Sequence, residues 1–263
     1  MHKPHTIQSA HNPLLKEIRR AAAHGGLTRS GRCVAEGPHL LEEALRSGLA
    51  VESVLATEEM APAVEALLGP PRRTRLLVLP PRLLAQISTT ETTQGVLALV
   101  RPPEWGLEDL FRRCAPVVVL DRVQDPGNAG AIARAAEAFG AAGLLWIRGA
   151  VSRWNPKTLR SSAGSLFRLP VVDGVEPSAA AALLRERGAA IRIAVPRKGA
   201  APWALDWRVP CALVIGNEAH GAGPEWIAAG EPVRIPTAGV ESLNAAAAAA
   251  VLLYEAMRQR GAP

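Results

Sequence analysis

The stretch "IPTAGVESLNAAAAAAVLLYE", residues 235–255, decides how this chain is read. Pro236 ends a strand-like run, Gly239 permits a tight turn, and a long alanine-rich helix follows. Ser242 or Asn244 is suited to cap that helix, because a short polar side chain satisfies its free backbone N–H groups. One cap is enough for a helix, yet Glu241, Ser242 and Asn244 fall within four positions. Alanine is the best helix former, and its small side chain also lets a helix approach neighbouring backbone closely. Such a helix suits a crowded site or a subunit interface.

Two earlier loops share this character. In "CALVIGNEAHGAGPEW" (211–226) an apolar strand delivers Gly216, Asn217 and Glu218 to its carboxyl end, ahead of a helix begun at Pro224. In "LDRVQDPGNAGAIARAAEAFG" (120–140) a strand runs into Asp125, Pro126, Gly127, Asn128 and Gly130, then a helix carrying Arg134. Asn128 is placed to cap that helix, and its amide is equally suited to face a ligand. Arg134 lies about one turn beyond Gly130, near the mouth of the loop. Taken singly, each loop also reads as a solvated turn or a capped helix with a surface arginine. There is no GxGxxG and no P-loop lysine, so the usual nucleotide-phosphate motifs are missing.

Around these loops the second half alternates buried strands ("PVVVLD", "GLLWI", "AAIRIAVP", "CALVIG", "PVRIP") with helices, which indicates a parallel sheet covered on both faces. Ligands on such sheets bind outside the carboxyl ends of the strands. The first hundred residues also alternate: helices over "NPLLKEIRRAAAH", "PHLLEEALRSG", "EEMAPAVEALLG" and "PRLLAQIS", strands over "RCVAEG", "VESVLAT", "TRLLVLP" and "GVLALV". "RPPEWG" (101–106) reads as a linker, giving domains 1–104 and 105–263.

Composition narrows the partners. Hydrophobic residues make up 48% and charged ones 21%, which is globular, and the net charge is +6. Arginine supplies nearly all of that charge, and its planar fork suits phosphate and bases, so a nucleic acid is a fair partner. Genome composition explains the same bias equally well. Cys33, Cys114 and Cys211 are far apart and form no CxxC, which fits a reducing cytoplasm and argues against a disulfide framework or a zinc site. His24 and His39 have no partner at metal-ligand spacing, so no metal is expected. The opening residues carry no apolar core of a signal peptide, and the longest apolar run, 245–254, is too short to span a bilayer.

Together, Asn128-x-Gly130-x-x-x-Arg134, "LVIGNE" and "IPTAGVESLNAAAAAAVLLYE" resemble, in order and spacing, the three motifs of the SpoU-type (TrmH-like) RNA ribose 2′-O-methyltransferases of the SPOUT class. The similarity covers 116–260. "NPLLKEIRR" and "VAEGPHLLEEAL" make the first hundred residues similar to the substrate-binding domain on many members, an α/β/α RNA-binding unit like small ribosomal proteins.

The resemblance implies an α/β SPOUT domain with a deep trefoil knot, S-adenosylmethionine as methyl donor, and a homodimer built through the alanine-rich helix. Gly216, Ile235 and Leu243 would contact the donor, largely through backbone groups. Arg134 would be catalytic, Asn128 and Glu218 would orient it, and Ser242 and Asn244 would hold the target nucleotide. Arg160, Ser161, Ser162 and Gly164 are candidates for RNA phosphate, with a polar turn before an "LFRLPV" strand as the alternative. Arg19, Arg20, Arg29 and Arg32 offer an RNA-facing patch or a solvated helix face. The tryptophans at 146, 154, 203, 207 and 226 read as packing anchors. The separate amino-terminal domain points to ribosomal RNA. The same reaction on tRNA, a non-catalytic RNA-binding assembly factor, and a nucleotide-dependent oxidoreductase are the competing readings, the last lacking its fingerprint.

Overall fold

The structure, a computed structural model, describes residues 5–70 and 74–261. Residues 1–4, which open the stretch read as lacking a signal peptide, lie outside the described residues. The chain divides into two compact units, Met1–Pro103 with Ser152–Arg168, and Glu104–Val151 with Leu169–Pro263.

The first unit runs β1 (His5–Thr6), α1 (Pro13–Ala23), β2 (Cys33–Glu36), α2 (Pro38–Arg46), β3 (Val51–Ala56), α3 (Ala61–Leu68), β4 (Arg75–Val78), α4 (Pro81–Ala85) and β5 (Val96–Val100). Helix α1 starts as the sequence dictates: the Asn12 side chain accepts from Leu14 N (2.9 Å) and Pro13 occupies the first turn, where no N–H is needed. Leu15, Ile18, Ala21 and Ala22 recur at helical spacing and are buried. The sheet order is β1-β4-β3-β5-β2, with β5 antiparallel to both β3 and β2. Ile18, Val34, Leu55, Leu77 and Leu99 share its core.

The second unit contains β6 (Val117–Leu120), α5 (Pro126–Ala138) and β7 (Gly143–Ile147). The chain then contributes α6 (Pro156–Ser162) and α7 (Ser165–Arg168) to the first unit. It returns as β8 (Val171–Val175), α8 (Pro177–Glu186), β9 (Ala190–Ala194), β10 (Cys211–Ile215), α9 (Pro224–Ile227), β11 (Glu231–Val233) and α10 (Ala245–Gln259). All six strands are parallel, in the order β11-β9-β10-β6-β7-β8. From β6 the chain builds outward to β8, then crosses to the other side, so the order reverses between β6 and β10. That switch point is where an open α/β sheet leaves a crevice. Ile215 is in register with Leu120, so the loops after both strands leave the sheet at one level. Helix α10 packs against α5, with Tyr254 meeting Phe139 edge-on at 5.9 Å between ring centroids.

Three expectations need correction. The contiguous division at 104/105 misses 152–168, which groups with the first unit. The polar stretch at 155–171 is helix α6, capped by Asn155 (from Lys157 N, 2.9 Å), then α7, with the strand beginning only at Val171. Helix α6 buries Thr158 and Ser162 along with Leu159, so the apolar period that advertises a helix is absent. Strand β11 ends at Val233 rather than Pro236, because Arg234 N turns to Ala200 O (2.9 Å).

Candidate active site at the switch point

Asp125, not Asn128, caps α5: its side chain accepts from Asn128 N at 2.7 Å. This corrects the sequence expectation and frees the Asn128 side chain inside the first turn. Its Nδ2 donates to Glu218 Oε1 (3.1 Å), and its Oδ1 accepts from Asn244 Nδ2 (2.9 Å). The donor and acceptor ends of the amide are thereby assigned by their partners. Three loops distant in sequence meet at one side chain.

Asn244 serves two purposes with its two ends. Its Oδ1 accepts from Ala246 N (2.9 Å) and Ala247 N (3.4 Å), capping α10, while its amide reaches Asn128. Glu218 sits at the start of α5, where backbone N–H groups point outward. Its carboxylate accepts from Gln124 N (3.2 Å) and Asp125 N (3.4 Å) as well as from Asn128. Burial pushes its pKa up, but the Asn128 amide and the backbone donors outweigh that, so the carboxyl is held below its ordinary value.

The loop bearing Glu218 is a tight hairpin. Asn217 N donates to Gly221 O (3.0 Å) and Gly221 N returns to Asn217 O (2.8 Å). Asn217 Nδ2 also donates to Arg122 O (3.0 Å). Gly216 lies under this hairpin: a Cβ there would stand 2.2 Å from Ala222 N and 2.3 Å from Gly221 C. Only glycine fits, because the obstacle is backbone. Asp121, fully buried at the end of β6, accepts from Gly223 N (2.7 Å) and pairs with both Arg122 Nε and Nη2 (3.1 Å each). This staple between the first and second loops escaped sequence reading. Its signal was a carboxylate directly after four buried strand residues, "VVVLD".

Beside these groups is a cavity of about 710 Å³, lined by Gly216, Glu218, Ile235, Ser242, Leu243 and Asn244 among others. All three residues expected to contact a cofactor therefore face one space. Ile215, Ala248 and Leu252 supply apolar wall. The size and lining match sites for small organic ligands.

Other expected residues fall elsewhere. Arg134 is exposed on α5, outside the cavity lining, with no hydrogen bond or ion pair among the described residues. Ser162 is fully buried and donates to Leu159 O (2.8 Å), so it is a structural residue rather than a phosphate ligand. Arg160 is held by Glu36 (2.9 Å) and Thr89 (2.7 Å) within the first unit. Glu36 also accepts from Ser88 and Thr90; burial raises its pKa, and the hydroxyl and amide donors bring it below the ordinary carboxylate value. Arg32 pairs with Glu52 (2.7 Å), Arg19 reaches the Gln86 carbonyl (3.2 Å), and Arg20 is exposed. Trp146, Trp207 and Trp226 are fully buried, as packing anchors are, but Trp203 is 65% exposed and corrects that reading. No group of three or more His, Cys, Asp or Glu suited to a metal ion occurs among the described residues.

A parallel sheet with a cavity over the carboxyl ends of β9, β10 and β11, bordered at the order reversal by an asparagine–glutamate network, defines an α/β enzyme whose chemistry lies in the loops after β6, β9, β10 and β11. Residues 115–254 match the model of the SpoU rRNA methylase family, and residues 12–98 match an MRM3-like substrate-binding domain. The chain belongs to the SpoU rRNA methylase family. It is 32% identical to the 23S rRNA (guanosine(2553)-2′-O)-methyltransferase RlmP of Bacillus subtilis, over 94% of this chain and 97% of that one. It is 34% identical to the 23S rRNA (uridine(2479)-2′-O)-methyltransferase of Streptomyces viridochromogenes, over 89% of this chain and 85% of the relative. The crystal structure of the SpoU methyltransferase AviRb from that organism, in complex with AdoMet, superposes with a TM-score of 0.83 at 31% identity, covering 95% of this chain and 98% of that one.

Proposed function

We propose that this protein transfers a methyl group from S-adenosylmethionine to a ribose 2′-hydroxyl in large-subunit ribosomal RNA. The observation that carries the reading is the convergence of Asn128, Glu218 and Asn244 at the edge of the cavity that Gly216, Ile235 and Leu243 line. Near-full-length similarity to two enzymes named for 23S rRNA 2′-O-methylation supports ribosomal RNA over tRNA. The match of the first unit to a substrate-binding domain supports it too.

The cavity fits the donor on its own evidence: apolar walls at Ile215, Ala248 and Leu252 for an adenine, and room for a bent nucleoside. When bound, S-adenosylmethionine supplies an already activated methyl group. The chain then has to align the acceptor oxygen and manage one proton, and positioning of this kind is worth effective molarities of about 10⁵ M or more. Glu218 locks Asn128, and Asn128 locks Asn244, so the rim is rigid before the acceptor arrives. Ser242 and Asn244 are placed to hold the target nucleotide at that rim. Arg134 is a poor base, because guanidinium stays protonated, so its role is to stabilise the developing alkoxide or a neighbouring phosphate while the proton leaves to water or phosphate.

The carboxy-terminal unit works as a two-fold homodimer in this reading, since α10 leaves Val251 and Tyr254 exposed (43% and 51%) beside α5. The deep trefoil knot and a cytoplasmic location complete the proposal. The test is ribosomal RNA from cells lacking the gene, incubated with the protein and S-adenosylmethionine. An alkali-resistant ribose position that depends on both is the expected result; its absence from every ribosomal RNA sinks the proposal.

A further inference from the structure

The loops after β9 and β11 each present one charged side chain to the cavity. The first, Pro196–Gly199, is fixed by its backbone: Lys198 has φ +55°, and a Cβ at Gly199 would meet Arg234 N at 2.9 Å and Pro232 O at 3.0 Å. Ala200 N to Pro232 O (2.9 Å) pins it to β11. It holds out Arg197. The second is closed by Thr237 Oγ1 donating to Val240 O (2.7 Å), and holds out Glu241. Arg197 Nη2 and Glu241 Oε1 are 2.6 Å apart, and both side chains line the cavity. They are 71% and 64% exposed, so the pair contributes little to stability. Its placement needs another reason.

Arg197 is the only arginine or lysine lining the cavity among the described residues. The lining carboxylates are Glu218 and Glu241, and Glu218 is already committed to Asn128 and the start of α5. The cavity wall thus carries one cation and one anion that are paired with each other. An amino-acid end of a ligand carries the complementary charges, an α-carboxylate and an α-ammonium. We infer that Arg197 and Glu241 form a zwitterion clamp: on binding they exchange their mutual ion pair for the ligand's carboxylate and ammonium. Arg197 takes the carboxylate through its planar fork, and Glu241 takes the ammonium. The exchange leaves charge balanced, so no unpaired ion is left in the cavity. This rests on the donor reading above and names the residues that recognise its amino-acid half.

Calorimetric titration of the full chain with S-adenosylhomocysteine and with 5′-methylthioadenosine, which lacks the amino-acid half, tests it. Arg197→Met is expected to weaken S-adenosylhomocysteine about tenfold or more and to leave methylthioadenosine within about twofold; Glu241→Gln should act likewise and more weakly. The charge swap R197E/E241R restores an ion pair of reversed polarity. A clamp keeps S-adenosylhomocysteine weak in the swap, whereas a mere latch between loops recovers it. Parallel loss of both ligands in the single variants, or recovery in the swap, overturns the inference. Failure of the unaltered protein to bind either nucleoside overturns the donor reading itself, and is told apart because methylthioadenosine does not need the clamp.

Discussion

Gly216→Ala is the sharpest probe of the site. Ordinary contact for a Cβ begins at about 3.4 Å, and here it would stand 2.2 Å from Ala222 N. The hairpin backbone must therefore retreat by about 1.2 Å, since no side-chain rotation relieves the clash. A shift of that size takes Gly221 N beyond hydrogen-bond reach of Asn217 O, now 2.8 Å away. Overpacking costs about 1–3 kcal/mol and each lost bond about 1 kcal/mol, so the variant should lose about 2–4 kcal/mol. For a chain of this size that is a fall of roughly 4–16 °C in Tm. Glu218 rides on the same hairpin, so donor affinity should fall at least about tenfold as the cavity wall shifts. Thermal melts and calorimetry with S-adenosylmethionine read both effects. Gly26→Ala is the control: nothing lies within 4 Å of its added Cβ. If Gly216→Ala melts within about 1 °C of the parent and binds with equal affinity, the close-approach argument is wrong.

Asn244→Asp keeps the capping oxygen but turns an acceptor toward Asn128, so it should hold helix stability yet lose most turnover. Asn244→Ala should lose turnover and about 1 kcal/mol of stability as well, read by denaturant melts. Arg134→Lys keeps the charge but not the planar fork and should drop turnover about 100-fold or more, with little change in Tm because the side chain is exposed; near-normal turnover contradicts a need for the fork. Glu218 has a depressed folded-state pKa, so its contribution to stability is fully present above its ordinary value of 4.5 and is lost as pH falls through the folded-state value. Compared with Glu218→Gln, the parent's stability advantage should therefore shrink only below about pH 4.5 in urea titrations at stepped pH. Iodoacetamide at pH 8 should label exposed Cys114 quickly and leave Cys33 and Cys211 intact in the folded protein, followed by mass spectrometry. Burial pushes the Cys33 thiol up to about 12 and also raises Cys211, which leaves little thiolate in either.

Local signals in this chain were reliable wherever one residue's neighbours in sequence were also its partners in space. Asn12–Pro13 and Pro126 mark helix starts, "VVVL", "GLLWI" and "CALVI" are strands buried at every position, and the three polar loops were legible as a set. Helices α6 and α7 were not, because buried threonine and serine interrupt the apolar period and their packing partners lie near residues 36–43 and 88–90.

The amino-acid sequence by itself determined the element types outside α6 and α7, the parallel character of the second sheet, and which loops carry polar groups, since periodicity and capping act over a few residues. Only the tertiary structure decided that Asn128 bridges Glu218 and Asn244, that Ser162 is interior, and that Arg197 faces Glu241. The Asn128 bridge follows from the strand order reversing between β6 and β10, which sets loops some ninety residues apart side by side, and Arg197 meets Glu241 because β9 and β11 are neighbours. No local pattern encodes such a neighbour, because its free energy comes from contacts that exist only once the sheet has closed.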